Sequence, residues 1–153
     1  GHLSEHDKAT ATAFRRLVEH HLYFLSAWFR WTDHGPAVKE AYFADVPGVL
    51  RGFVYSMVRR NLQKMLHLPG LGRHTREDLI TFAKEDIAAL ASHMGDKTWL
   101  MGEQLSSIDA SVASALENNL NCTLETPLTG IIGSHPNLVA YCQRFRGEVY
   151  GEE

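Results

Sequence analysis

The chain has 153 residues, enough for one domain with a real core, and its 44% apolar and 22% charged content is that of a globular chain. Its 15 basic and 18 acidic residues are well mixed and leave a net charge of −3. No basic stripe interleaved with aromatics is present, which argues against nucleic acid as a partner. No apolar run reaches the length of a membrane span and the N-terminus carries no signal-peptide pattern, so the expectation is a cytoplasmic protein.

Almost every segment reads as helix. The first runs from about Ser4 to Trp31 and stops at Asp33-His34-Gly35-Pro36. At about 100° per residue, Phe14, Val18, His21, Leu25, Trp28 and Phe29 form its core stripe. Phe24, Ala27 and Trp31, joined by Ala13 and His20, lie on a flank about a quarter-turn away. Such a flank is either extra core or a face toward something else. A short helix over Pro36 to Phe43 follows, and Asp45-Val46-Pro47 restarts a longer one to about Leu66. The stripe of this longer helix is Leu50, Phe53, Val54, Met57, Val58, Asn61, Leu62 and Met65, and His67-Leu68-Pro69-Gly70 ends it. Thr75, with Asp78 three residues on, opens the next helix, and Gly95 closes it.

The segment LMGEQLSSIDASVASAL, from Leu100 to Leu116, carries the strongest local signal. Ser106 and Asp109 have the spacing of a capping box, in which each side chain meets the other residue's backbone N–H. The helix beyond is dense in Ala110, Ser111, Ala113, Ser114 and Ala115, which lets neighbouring helices approach closely and predicts a central position. A short helix starts at Thr126-Pro127, and the last starts at Ser134 or His135, with Leu138, Tyr141, Cys142 and Phe145 at helical spacing. No run alternates apolar and polar residues, so the fold class is all-α, with six to seven helices and no internal domain boundary between residues 3 and 150.

Candidate chemistry is sparse. Glu19, His20 and His21 are adjacent and point in different directions, and no histidine or cysteine pair has zinc spacing, so no metal site is expected despite nine histidines. Cys122 and Cys142 are read as reduced, unreactive thiols in apolar helical settings. Asp109 is read as a capping carboxylate rather than a catalytic one, and no catalytic residue is expected.

The Leu100–Leu116 segment resembles the "F-L-x-G-x-x-x-T/S-x-x-D" region of the C-terminal domain of glutathione S-transferases. HPNLVAYCQRFR, from His135 to Arg146, is similar to the terminal helix of the same domain. GLGRHTREDLITFAKEDIAAL, from Gly70 to Leu90, resembles the failed-axon-connections and metaxin-related branch. The likeness is strong from about Gly70 to Arg146, and before Leu68 only the helical pattern agrees.

The resemblance implies a helical bundle of that domain type. Glutathione would be held by a preceding thioredoxin-like domain, which this chain lacks. This chain would then bind no cofactor itself and would supply the wall of a hydrophobic substrate pocket and part of a homodimer interface. His20, Phe24, Ala27 and Trp31 would line that cleft or interface. The alternative is a non-enzymatic adaptor of the same fold.

Overall fold

A computed structural model describes residues 3–67 and 70–151. Helix α1 (Glu5–Arg16) passes through a π-helical segment (Leu17–Leu22) into α2 (Tyr23–Asp33), so the expected first helix is one long rod with a widened turn inside it. It is followed by α3 (Gly35–Tyr42), α4 (Gly48–His67), a single 3₁₀ turn (Leu71–Arg73), α5 (Arg76–Met94), α6 (Ser107–Leu120), α7 (Pro127–Gly133) and α8 (Pro136–Tyr150). Among the described residues the only β pairing is an isolated bridge between Trp99 and Gly102. Leu68 and Pro69, part of the expected stop after α4, lie outside the described residues.

The helix starts follow local chemistry. Ser4 and Asp7 close a capping box on α1, with the Asp7 N–H donating to Ser4 Oγ at 3.1 Å and the Ser4 N–H to Asp7 Oδ2 at 3.1 Å. Thr75 and Asp78 do the same on α5, at 3.0 and 3.2 Å, and the hydrogen bonds from Thr75 hold the Asp78 carboxyl below its ordinary pKa. Pro136 occupies the first turn of α8, where its missing N–H leaves no bond unmade.

Helix α6 is central. It packs against α1, the π segment, α7 and α8, and its small residues permit those approaches. Leu138, Tyr141, Cys142 and Phe145 of α8 are all buried, as their spacing predicts. On the first rod, Val18, Leu22, Leu25 and Phe29 are buried, whereas His21 sits at the rim and Phe14 and Trp28 are half-buried. Val18, Leu22, Leu25 and Phe29 are spaced four, three and four apart and so share one helix face, while His21 lies at the edge of that face. His21 Nδ1 meets Asp86 Oδ2 of α5 at 2.5 Å, and that hydrogen bond raises the imidazole pKa above its ordinary value against the opposing pull of burial.

The stripe expected on α4 does not become core. Phe53 is 70% exposed, and Val49, Leu50, Met57 and Met65 are exposed with it; Leu66 alone is buried. The rest of the bundle meets α4 through α2, α3 and the 3₁₀ turn, so most of its apolar face has no layer against it. At the 3₁₀ turn the chain passes so close to α4 that a Cβ on Gly72 would lie 3.1 Å from the His67 backbone.

The Ser106–Asp109 box forms, and its carboxylate does more than cap. The Ser106 N–H and hydroxyl both donate to Asp109 Oδ2 at 2.8 Å. Oδ1 accepts the Leu100 N–H at 2.8 Å and the Tyr141 hydroxyl at 3.0 Å, and Asp109 is fully buried. The tight turn from Trp99 to Gly102, closed by two backbone bonds at 2.7 and 3.0 Å, is thereby fixed to the start of α6 and to α8. Gly102 has φ +127°, a conformation side chains other than hydrogen rarely adopt.

Ser106→Ala is expected to lower stability by about 1 kcal/mol, the usual loss for a missing N-cap. Asp109→Ala should cost roughly 3 kcal/mol or more, because it also strands the buried Leu100 N–H and Tyr141 hydroxyl. Urea melts giving the two variants equal losses would show that Asp109 is only a cap. For His21, the raised folded pKa means that its pairing with Asp86 stabilises fully below the unfolded value of about 6.5. The contribution is lost as pH rises through the higher folded pKa. Melts of Asp86→Asn should lack this alkaline decline; a variant that keeps it places the titration elsewhere.

Candidate functional site

A groove of about 530 Å³ runs between the first rod and α6. It exists because short side chains face one another across it. Ala27 comes from α2 and Ser111 and Ala115 from α6, where larger residues would have closed the gap. Val18, Leu22 and Leu62 add apolar walls, the last from α4. Tyr23 and Trp31 stand at the sides. Trp31 is held from behind, since its ring lies nearly parallel to Tyr55 with centroids 6.1 Å apart and packs edge-on to Phe43 at 6.3 Å.

The polar side chains in the groove are set in a line along the rod. Glu19 accepts from Ser111 Oγ at 3.3 Å. Ser26, itself buried, donates to Asn119 Oδ1 at 2.7 Å, and Asn119 Nδ2 donates to the Ala115 carbonyl at 2.9 Å. Arg30 reaches Ser26 Oγ at 3.5 Å and the Asn118 carbonyl at 3.4 Å through Nη2 alone, both long contacts. Its Nε is buried with no partner among the described residues.

Of the four residues singled out on the flank, Ala27 and Trp31 line this groove and two do not. Phe24 is half-buried against the core, edge-on to Tyr23 at 5.3 Å. His20 is exposed and lies outside the groove lining. The groove instead takes Glu19, Tyr23, Ser26 and Arg30, which sequence reasoning passed over. Their signal was available: 19, 23, 26 and 30 are spaced four, three and four apart, a polar stripe beside the apolar one.

The thiols differ from expectation in one respect. Cys142 is buried, and burial together with the nearby Glu117 carboxylate pushes its pKa up to about 12 despite the opposing charge of Arg146. Cys122 is not helical; it lies in the loop between α6 and α7 and is half-buried. The Tyr141 hydroxyl is also pushed well above its ordinary pKa, by burial first and then by the Asp109 charge. Among the described residues no three His, Cys, Asp or Glu side chains come together to hold a metal, and no helix is long and apolar enough to cross a membrane.

Comparison with known proteins bears on this arrangement. Residues 83–145 match the family model of the glutathione S-transferase C-terminal domain. The chain is 31% identical, over 153 aligned positions, to an isoprene-epoxide–glutathione S-transferase of Rhodococcus sp. strain AD45. That alignment takes in 94% of this chain and 62% of the relative, so the chain spans under two-thirds of the relative's length. No solved structure matches. The described residues form the all-α bundle that the sequence predicted, consistent with the all-α domain whose family model residues 83–145 match.

In the native protein a thiol reagent should modify Cys122 readily and Cys142 only as fast as the chain opens, because a buried thiol with a raised pKa offers almost no thiolate at neutral pH. Mass spectrometry after timed labelling distinguishes them; equal rates would mean that the α8 packing around Cys142 is loose.

Proposed function

We propose that this chain is the C-terminal helical domain of a glutathione S-transferase-like protein, and that the groove between the first rod and α6 is one wall of its hydrophobic substrate cleft. The observation that carries the reading is an alignment with a glutathione S-transferase that covers nearly the whole chain, groove included. In this reading residues 3–150 are one domain, and a thioredoxin-like N-terminal domain supplies the glutathione site and the group that ionises the thiol. The chain contributes shape and polarity, and glutathione is a co-substrate held elsewhere. The relative's name specifies an isoprene epoxide, which points to small electrophiles of that kind. A groove of about 530 Å³ with mostly apolar walls suits such molecules.

Ala27 and Trp31 then act as cleft lining, while Phe24 supports them from the core side and His20 faces the completing domain or a second copy. The exposed face of α4, with Val49, Leu50, Phe53 and Met57, is the apolar surface that either of those partners would cover. The protein would work in the cytoplasm. A second reading, favoured by that same uncovered face, is an adaptor of the failed-axon-connections and metaxin-related kind, in which the face binds another protein and no thiol chemistry occurs.

The expected outcome for the chain alone is no saturable heat on titration with millimolar glutathione and no conjugation above background. Saturable binding would mean that a complete site had been mistaken for half of one. Expressed with the region that precedes it in its own gene, the protein should conjugate glutathione to a small epoxide. A full-length protein that folds and binds no glutathione would favour the adaptor.

A further inference from the structure

We propose that the groove between the first rod and α6 binds apolar molecules that end in a single carboxylate, with Arg30 as the residue that selects them. Arg30 lacks an ionic partner among the described residues. It is a permanent cation half-buried among apolar walls. Its hydrogen bonds are two long ones through Nη2, and its buried Nε has no partner. A guanidinium offers five donors, and of those on Arg30 only Nη2 meets protein acceptors, both at long distance, which leaves most of the fork free to take an anion in the groove. A planar carboxylate fits the guanidinium fork best.

The other end of the groove sets the number of charges and the direction. Glu19 is its one acidic lining residue, and it stands eleven positions before Arg30 on the same rod, roughly 16 Å away along the axis. A second negative charge at that end is repelled. The ligand therefore carries one anionic head, placed against Arg30, and an uncharged tail running past Ala27, Ala115 and Leu22 toward Val18. A dianionic phosphate head is a poorer match, since Arg30 is the only cation in the lining. This inference deepens the reading of the groove as a substrate cleft and rests on the groove being open to ligand, though not on glutathione chemistry.

The test is calorimetric titration of the chain with decanoate, decanol and decylamine at low salt. Decanoate should bind at least about tenfold more tightly than the other two, the margin one charge-assisted bidentate pair can supply. Arg30→Met should bring decanoate down to the level of decanol while leaving decanol within about twofold of its original affinity. Ala27→Trp, which fills the groove, should abolish binding of all three. Equal affinity for decanoate and decanol in the unaltered chain overturns the proposal without any variant having to fold. Undiminished decanoate binding by Ala27→Trp overturns the location. The two readings also fail separately. Decanoate selectivity in a full-length protein that never binds glutathione removes the transferase reading alone. Glutathione conjugation by a full-length protein whose C-terminal chain shows no preference for decanoate removes this one alone.

Discussion

The Asp109 carboxylate accepts at both of its oxygens from groups brought from three places in the chain: the Ser106 backbone and hydroxyl, the Leu100 N–H and the Tyr141 hydroxyl. A buried carboxylate is expensive to keep unless it is fully hydrogen-bonded, and here each donor satisfies it while being satisfied in turn. The start of α6, the Trp99–Gly102 turn and the middle of α8 are thus fixed relative to one another. Trp99 closes over the same point, its ring edge-on to Tyr141 at 6.3 Å. Because α6 packs against α1, the π segment, α7 and α8, the placement of its first turn sets where the rest of the bundle can sit.

The groove depends on that placement. Ser111 and Ala115 lie one and two turns beyond the cap, so the register imposed at Asp109 decides that they, and not a bulkier neighbour, face the first rod. Across from them the first rod, which includes the π segment, buries Val18 and Leu22, presents Glu19 and Tyr23 at the groove edge and lets His21 meet Asp86. An extra residue in a turn leaves backbone groups less well aligned, and the His21–Asp86 pair from α5 supports the segment from the side.

Helix α4 is organised differently. It touches α2, α3 and the 3₁₀ turn, contributes Leu66 to the interior and Leu62 to the groove, and leaves Phe53 and its apolar neighbours in solvent. Trp31, Phe43 and Tyr55 tie α2, the α3 end and α4 together as a small aromatic cluster outside the main core. An apolar helix face of this extent is uncommon on a chain that acts alone.

Most of the fold was legible in the sequence. The helix starts at Ser4, Thr75, Ser106 and Pro136 and the stop at Gly95 were fixed by interactions reaching no more than four residues along the chain, and the α8 core positions showed in their helical spacing. Such interactions are written in spacing and residue type, and so was the all-α class. Of the candidate groove the sequence marked a part: Ala27 and Trp31 of the flank line it, Phe24 and His20 do not, and Arg30, Tyr23 and Glu19 line it without having been singled out. Spacing marks which residues share a helix face without saying what that face meets, and the stripe on α4 likewise predicts burial without saying whether anything is there to bury it. Asp109 shows the same division within one residue. Its cap was set by the sequence three residues away, whereas its bonds to Leu100 and Tyr141 exist only because tertiary packing brings segments 9 and 32 positions distant onto one carboxylate.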